Sequence, residues 1–258
     1  GLMLARLALR LATIEALKGR TWVDKNVLDS QFGALDADAD GNLTTDQKKP
    51  FVMVYTDKGV ADGGGDRALH RSGSTDLVIE IAIAATMTVR NEAGDKEVVA
   101  GIPSTDAAFE FYLDVVGRQI CNALTDPRNE WAELWKALSG SIDKVEHRRT
   151  ADATGTKIAA HQIVITLDLL PDPVFNEPVA QTSVWARLLA KMEAADHPYL
   201  ATMRELMGDP VGVLQSEAQR RRFGMTLDEV RALFDIAVEP AEATEPDIQS
   251  VTVERVEP

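Results

Sequence analysis

Asp36, Asp38 and Asp40 stand at alternate positions, followed by Gly41, Asn42 and Leu43, with Gln47 closing a twelve-residue run from Asp36. Three carboxylates at this spacing repel one another unless water or a cation lies between them. Hard divalent cations such as calcium take six to eight oxygen ligands, and a short loop supplies them from alternate positions around a glycine turn. Asp36, Asp38, Asp40, Asn42 and Gln47 are therefore the candidate ligands for a calcium ion. No other stretch has comparable chemical content. Asp62-Gly63-Gly64-Gly65-Asp66 is glycine-rich, but no Gly-Lys-Ser/Thr follows and no helix pattern opens there, so a phosphate loop is not expected. His70, His147, His161 and His197 lie far apart in sequence, and the single cysteine, Cys121, excludes an internal disulfide and a cysteine-based zinc site.

Residues 36–47 resemble an EF-hand calcium loop, with Phe32 and Leu35 preceding it and an apolar Leu43 at the eighth position. They depart from it at the twelfth position, where Gln47 replaces the bidentate glutamate. Lys48, Lys49 and Pro50 then interrupt any long exiting helix. The resemblance implies a local cation site rather than a conformational switch, and no cofactor is required.

The elements around this loop follow from periodicity. Leu4, Leu7, Leu11, Ile14 and Leu17 recur at helical spacing, and Gly19 stands where a helix ends. Arg6, Arg10 and Glu15 interrupt the run, so it reads as an amphipathic helix rather than a signal peptide. Phe51 to Thr56 alternates as a strand. Leu77, Ile79, Ile81, Ile83, Ala85, Met87 and Val89 alternate with smaller or more polar residues, predicting one long strand. Asn91-Glu92-Ala93-Gly94 turns the chain into a return strand over 96–102. Phe109, Leu113, Val116, Ile120, Ala123 and Leu124 share one helical face, and 128–139 predicts a shorter helix. A strand follows over 161–170, while 141–149 reads as strand or loop.

Beyond Pro173 the pattern is mainly helical. Thr226-Leu227-Asp228-Glu229 has the spacing of a capping box, expected to open a helix that buries Val230, Leu233 and Phe234. Residues 239–258 are acidic and proline-broken, with 249–256 able to add an edge strand. The expected fold is α+β: an antiparallel sheet of about four strands packed against one or two long helices, over 1–173, with a mainly helical extension over 174–258.

The net charge of −14 argues against gripping nucleic acid by phosphate neutralisation. No stretch approaches the roughly 20 apolar residues of a membrane span. No nucleophile–base pair, metal triad or nucleotide loop emerges, so an enzyme is not expected.

The run from Leu4 to Leu170 resembles the tail terminator (tail completion, head–tail joining) family of long-tailed phages and gene transfer agents. The features that carry this are 7–21, Val27-Leu28-Asp29-Ser30, Pro50 to Asp57, the alternating strand at 77–89 and the helix at 109–124. The resemblance implies a structural virion protein of the tail and neck, assembled in the host cytoplasm. Its partners would be itself in a homo-hexameric ring, the tail tube protein and the head–tail connector or stopper, with DNA only as passing cargo. Such a ring caps the tail tube, ends its growth and joins it to the head. An acidic bore suits DNA passage, and Asp76 and Glu80 are the candidate lumen or subunit-contact residues. The open edge of the long strand would be covered by a neighbour. Two further readings stand beside it: another head–tail connector ring (stopper or adaptor), and a cation-binding interaction domain.

Overall fold

The computed structural model describes residues 3–30, 36–37, 43–44, 49–61, 67–71, 73–90, 96–151, 157–208 and 215–234. The first helix, α1 (Met3–Leu17), buries Leu4, Leu9, Leu11, Ile14 and Leu17. Asp172 holds its start: the buried carboxylate accepts from the Leu4 (3.3 Å) and Ala5 (2.8 Å) amides. These amides have no partner inside the helix, and the negative charge meets the positive end of its dipole. Gly19 ends the helix in the left-handed region, φ +70°, as its position predicts.

The main sheet contains β1 (Val27–Asp29), β4 (Phe51–Val60), β5 (Ser74–Ala82), β8 (Ser139–Ala151) and β9 (Lys157–Leu169), in the order β1-β4-β5-β9-β8. A second sheet orders β2 (Asp36–Ala37), β3 (Leu43–Thr44), β7 (Lys96–Gly101) and β6 (Ala85–Arg90). The α+β class matches the sequence reading, but the main sheet has five strands and is mixed. β1 runs parallel to β4, with Val27 opposite Val52 and Asp29 opposite Val54. An ion pair of 2.6 Å between Arg10 and Asp29 ties that short strand to α1.

The alternating run from Leu77 to Val89 is two strands, not one. β5 pairs with β4 and β9 as far as Ala82, which faces Phe51 and Ala160. Pro50 precedes Phe51 and has no amide to extend the ladder, so β5 loses a neighbour there. The chain then passes through Ile83 and Ala84 and enters the other sheet as β6, paired with β7. Period-2 patterning runs through the break because both segments are strands, whichever strand is the partner.

Helices α2 (Ala107–Thr125) and α3 (Glu130–Leu138) share one face of the main sheet with α1. Leu113, Val116 and Ile120 of α2 meet Leu77, Ile79, Ile81, Ile163 and Leu167 in the core. Full burial of one such side chain stabilises by about 1.5–3 kcal/mol. At Gly117 the helix lies close to Ile81 and Ile163. Asp106 caps α2 and Asn129 caps α3. The buried Asn129 amide also donates to the Ala16 (2.9 Å) and Ala123 (3.1 Å) carbonyls, joining the ends of α1, α2 and α3.

The extension holds α4 (Val184–Ala194), α5 (Leu200–Met207), α6 (Gln215–Phe223) and α7 (Leu227–Phe234). Val184, Trp185, Leu188, Met192, Met203 and Met207 join the same core cluster as the sheet, with α4 packed on α3. The capping box forms: the Thr226 amide donates to Glu229 and the Glu229 amide to the Thr226 hydroxyl. Leu233, expected inside, is 65 % exposed, because α7 buries only its Val230 side. The edge strand expected over 249–256 lies outside the described residues.

Asn129→Ala removes a cap and leaves two buried carbonyls without their donor. It is expected to lower unfolding stability by about 2–3 kcal/mol. Urea unfolding measures this, and a loss under about 0.5 kcal/mol would show that the three helix ends do not depend on the amide.

Candidate assembly interface

β8 is an outer strand of 13 residues, and its one ladder partner among the described residues is β9. No described residue pairs with its other edge, a surface that accepts a further strand unless charge or irregularity prevents it. Two irregularities, between Ser139 and Ile142 and between Ile142 and Lys144, bend its first half. From Lys144 to Arg149 the pairing with β9 is unbroken. Lys144, Glu146 and Arg148 alternate in sign on the face away from the helices, with Glu146 2.8 Å from Lys144 and 2.9 Å from Arg148.

The helix layer stops short of most of β8. α1 lies over β1 and β4, α2 over β5 and β9, and α3 touches β8, which it runs directly into. Val145 and Ile142 are therefore about half exposed, although Val145 is in register with buried Ile165. A half-open groove of about 500 Å³ runs between α2 and β8. Its floor is Ile81, Ile163 and Gly117, and its walls carry Asp114, Arg118, His147 and Arg149.

A polar node closes one end of this groove. Glu110, in the first turn of α2, accepts from the Thr105 hydroxyl (2.6 Å) and lies 2.7 Å from Arg149 and 3.1 Å from His161 Nε2. Asp114 approaches the other imidazole nitrogen at 3.8 Å. The Thr105 hydrogen bond, with His161 and Arg149 beside it, holds the Glu110 carboxyl below its ordinary value. The node thus fastens β8 and β9 to α2. His147 and His161, 14 residues apart, line the same groove because the β8–β9 register sets His147 opposite Ile163 and Arg149 opposite His161. That clustering was hidden in the sequence; the signal available was hairpin pairing of 144–149 with 161–166.

Asp76 and Glu80 lie on the sheet face opposite α2, as expected, yet both are engaged within the chain. Asp76 accepts from Thr166 (2.6 Å). Glu80 accepts from the Tyr55 phenol (3.1 Å) and the Gln162 amide (2.8 Å). Burial, and then the Glu80 charge, push the Tyr55 phenol well above its usual range. Nor does β5 have an open edge to offer a neighbour: β4 and β9 occupy both of its sides. Among the described residues the edge strands of the main sheet are β1 and β8.

Of the candidate calcium ligands, Asp38, Asp40, Asn42 and Gln47 lie outside the described residues, and Asp36 is described in its backbone alone. That backbone is strand: Asp36 pairs with Thr44 and Ala37 with Leu43, while Thr44 also pairs with Gly101. A two-stranded ladder thus joins residues 36–37 to 43–44. Among the described residues no group of three or more His, Cys, Asp or Glu is placed to hold a metal. The glycine run 62–66 also lies outside the described residues. Of the consecutive Arg220, Arg221 and Arg222 of α6, Arg221 pairs with Glu217 at 2.9 Å and Arg222 with Glu177. Cys121 is half-buried beside the groove.

No helix among the described residues is long and apolar enough to cross a membrane. No protein-family model matches the chain, and no curated protein matches it in sequence.

The node yields a pH signature. A carboxyl whose pKa is lower in the folded state adds stability above the unfolded value, about 4.3 for glutamate, and loses it as pH falls through the folded value. Glu110→Gln should therefore be less stable than the wild type at pH 7, with the gap narrowing below about pH 4. Thermal melts from pH 3 to 7 measure it; a gap independent of pH would remove Glu110 from the node's electrostatics.

Proposed function

We propose that this chain is a structural subunit of a virion neck, a tail terminator that closes into a six-fold ring on the tail tube. The ring ends tube growth and joins the tail to the head connector or stopper, with DNA passing through its bore. The observation that supports this most is the β6–β7 hairpin. It leaves the main sheet at Ala84, and its principal described partners are its own two strands and β3. A hairpin that departs from the main sheet is placed to brace a neighbouring subunit. The resemblance of residues 4–170 is the second support for this reading.

The charge is consistent with this role. A net −14 disfavours retention of a polyanion, so DNA passes rather than binds. The ring's partners are copies of itself, the tail tube protein and the connector or stopper. Its place is the virion, after assembly in the host cytoplasm.

Negative-stain microscopy with light-scattering mass, in calcium and in excess chelator, tests the reading. Closed six-fold rings in both conditions are expected, with residues 36–47 acting as a local feature. Rings only in calcium would place those residues at the subunit contact. A strictly monomeric species at high concentration, with or without calcium, would remove the ring and with it this function.

A further inference from the structure

The edge of β8 is charged, and charge on an edge strand ordinarily keeps other strands away. Here the charges alternate in sign, so their effect depends on register. A second copy of β8 laid antiparallel must pair residues of equal parity, because directly opposite residues share a face of the sheet. Within the unbroken run Lys144–Arg149, two such registers keep five residues paired. One centres on Glu146, setting Glu146 against itself and Lys144 against Arg148. Those are like-charge pairs, and they destabilise. The other centres on His147. It sets Glu146 opposite Arg148 twice, Val145 opposite Arg149 twice and His147 opposite its own copy.

The geometry points to a two-fold dimer in which the β8 edges of two copies pair antiparallel through His147, joining two five-stranded sheets into one. In each copy Arg148 already lies 2.9 Å from Glu146. In the dimer the four side chains form a square of alternating charge on the face away from the helices. Val145, 47 % exposed in the single chain, gains cover from the aliphatic part of the opposite Arg149. The contact is isologous and closes after two copies, so it is separate from a six-fold ring contact and does not rest on it. It covers the strand edge of the free chain, which would otherwise pair in whatever register chance brought.

Charge exchange in the full-length chain tests this. Sedimentation equilibrium of the wild type is expected to give a monomer–dimer equilibrium. Glu146→Arg alone and Arg148→Glu alone should each weaken the dimer at least tenfold, since each sets like charges opposite. The double variant Glu146→Arg/Arg148→Glu restores opposite pairing in the same register and should recover the dimer. In a Cys121→Ser background, His147→Cys should form a disulfide between copies on mild oxidation. Opposed Cα atoms in an antiparallel pair lie about 4.5–5.5 Å apart, within disulfide range. Val145→Cys by itself should not cross-link. A wild type that never dimerises, a dimer indifferent to Glu146→Arg, or a double variant as weak as the single ones would overturn the β8 dimer. Six-fold rings in which His147→Cys stays reduced would overturn the dimer and leave the ring standing. A cross-linked dimer that never forms rings would do the reverse.

Discussion

Everything in this fold is measured from β5. It is the only strand of the main sheet with a ten-residue antiparallel partner on one side and a thirteen-residue one on the other, β4 and β9. Leu77, Ile79 and Ile81 on one face carry the helix layer, and Leu113 and Gly117 of α2 sit directly over that row. A one-residue slip of β5 would turn those side chains to the opposite face and bring Asp76 and Glu80 under α2. The polar residues therefore specify register as firmly as the apolar ones. Glu80 is bound by Tyr55 and Gln162, and Asp76 by Thr166, each from a strand that the correct register makes adjacent.

The same geometry explains where the molecule is incomplete. α1 and α2 cover four strands, α3 touches β8, and a groove stays open between α2 and β8. The Glu110 node fastens that strand at one end without closing the groove. At the other end of β5 the chain departs into a hairpin that belongs to a different sheet. Among the described residues a strand edge, a groove and a departing hairpin are left; the hairpin supports the proposed ring and the β8 edge the proposed dimer.

Much of this was legible in the sequence, for reasons that can be located. α1 and α2 follow from apolar residues at helical spacing, and the cap at Thr226 from the capping-box spacing. The break at Ile83 and Ala84 was not legible, since alternation continues through it and only partners change. The parallel pairing of β1 with β4 was not legible, because three residues are too few to show a partner or a direction. β8 was ambiguous because its exposed faces carry charges on both sides, which erases the alternation of a half-buried strand. The groove and its paired histidines depend on long-range register, which no local pattern encodes. The acidic loop, the clearest chemical motif in the chain, lies mostly outside the described residues and keeps the standing of a sequence resemblance.

The ladders of β5 are filled within one chain, while the outer edge of β8 has no described partner. Residue-resolved amide hydrogen exchange at dilute and at assembling concentrations tests this most directly. β5 and β9 should be the slowest to exchange at both concentrations, because their ladders are filled within the chain. The outward-facing amides of Lys144–Arg149 should exchange rapidly when dilute and slow down on assembly. Equal protection of those amides at both concentrations would contradict the account, as would β5 amides that exchange as fast as those of β8.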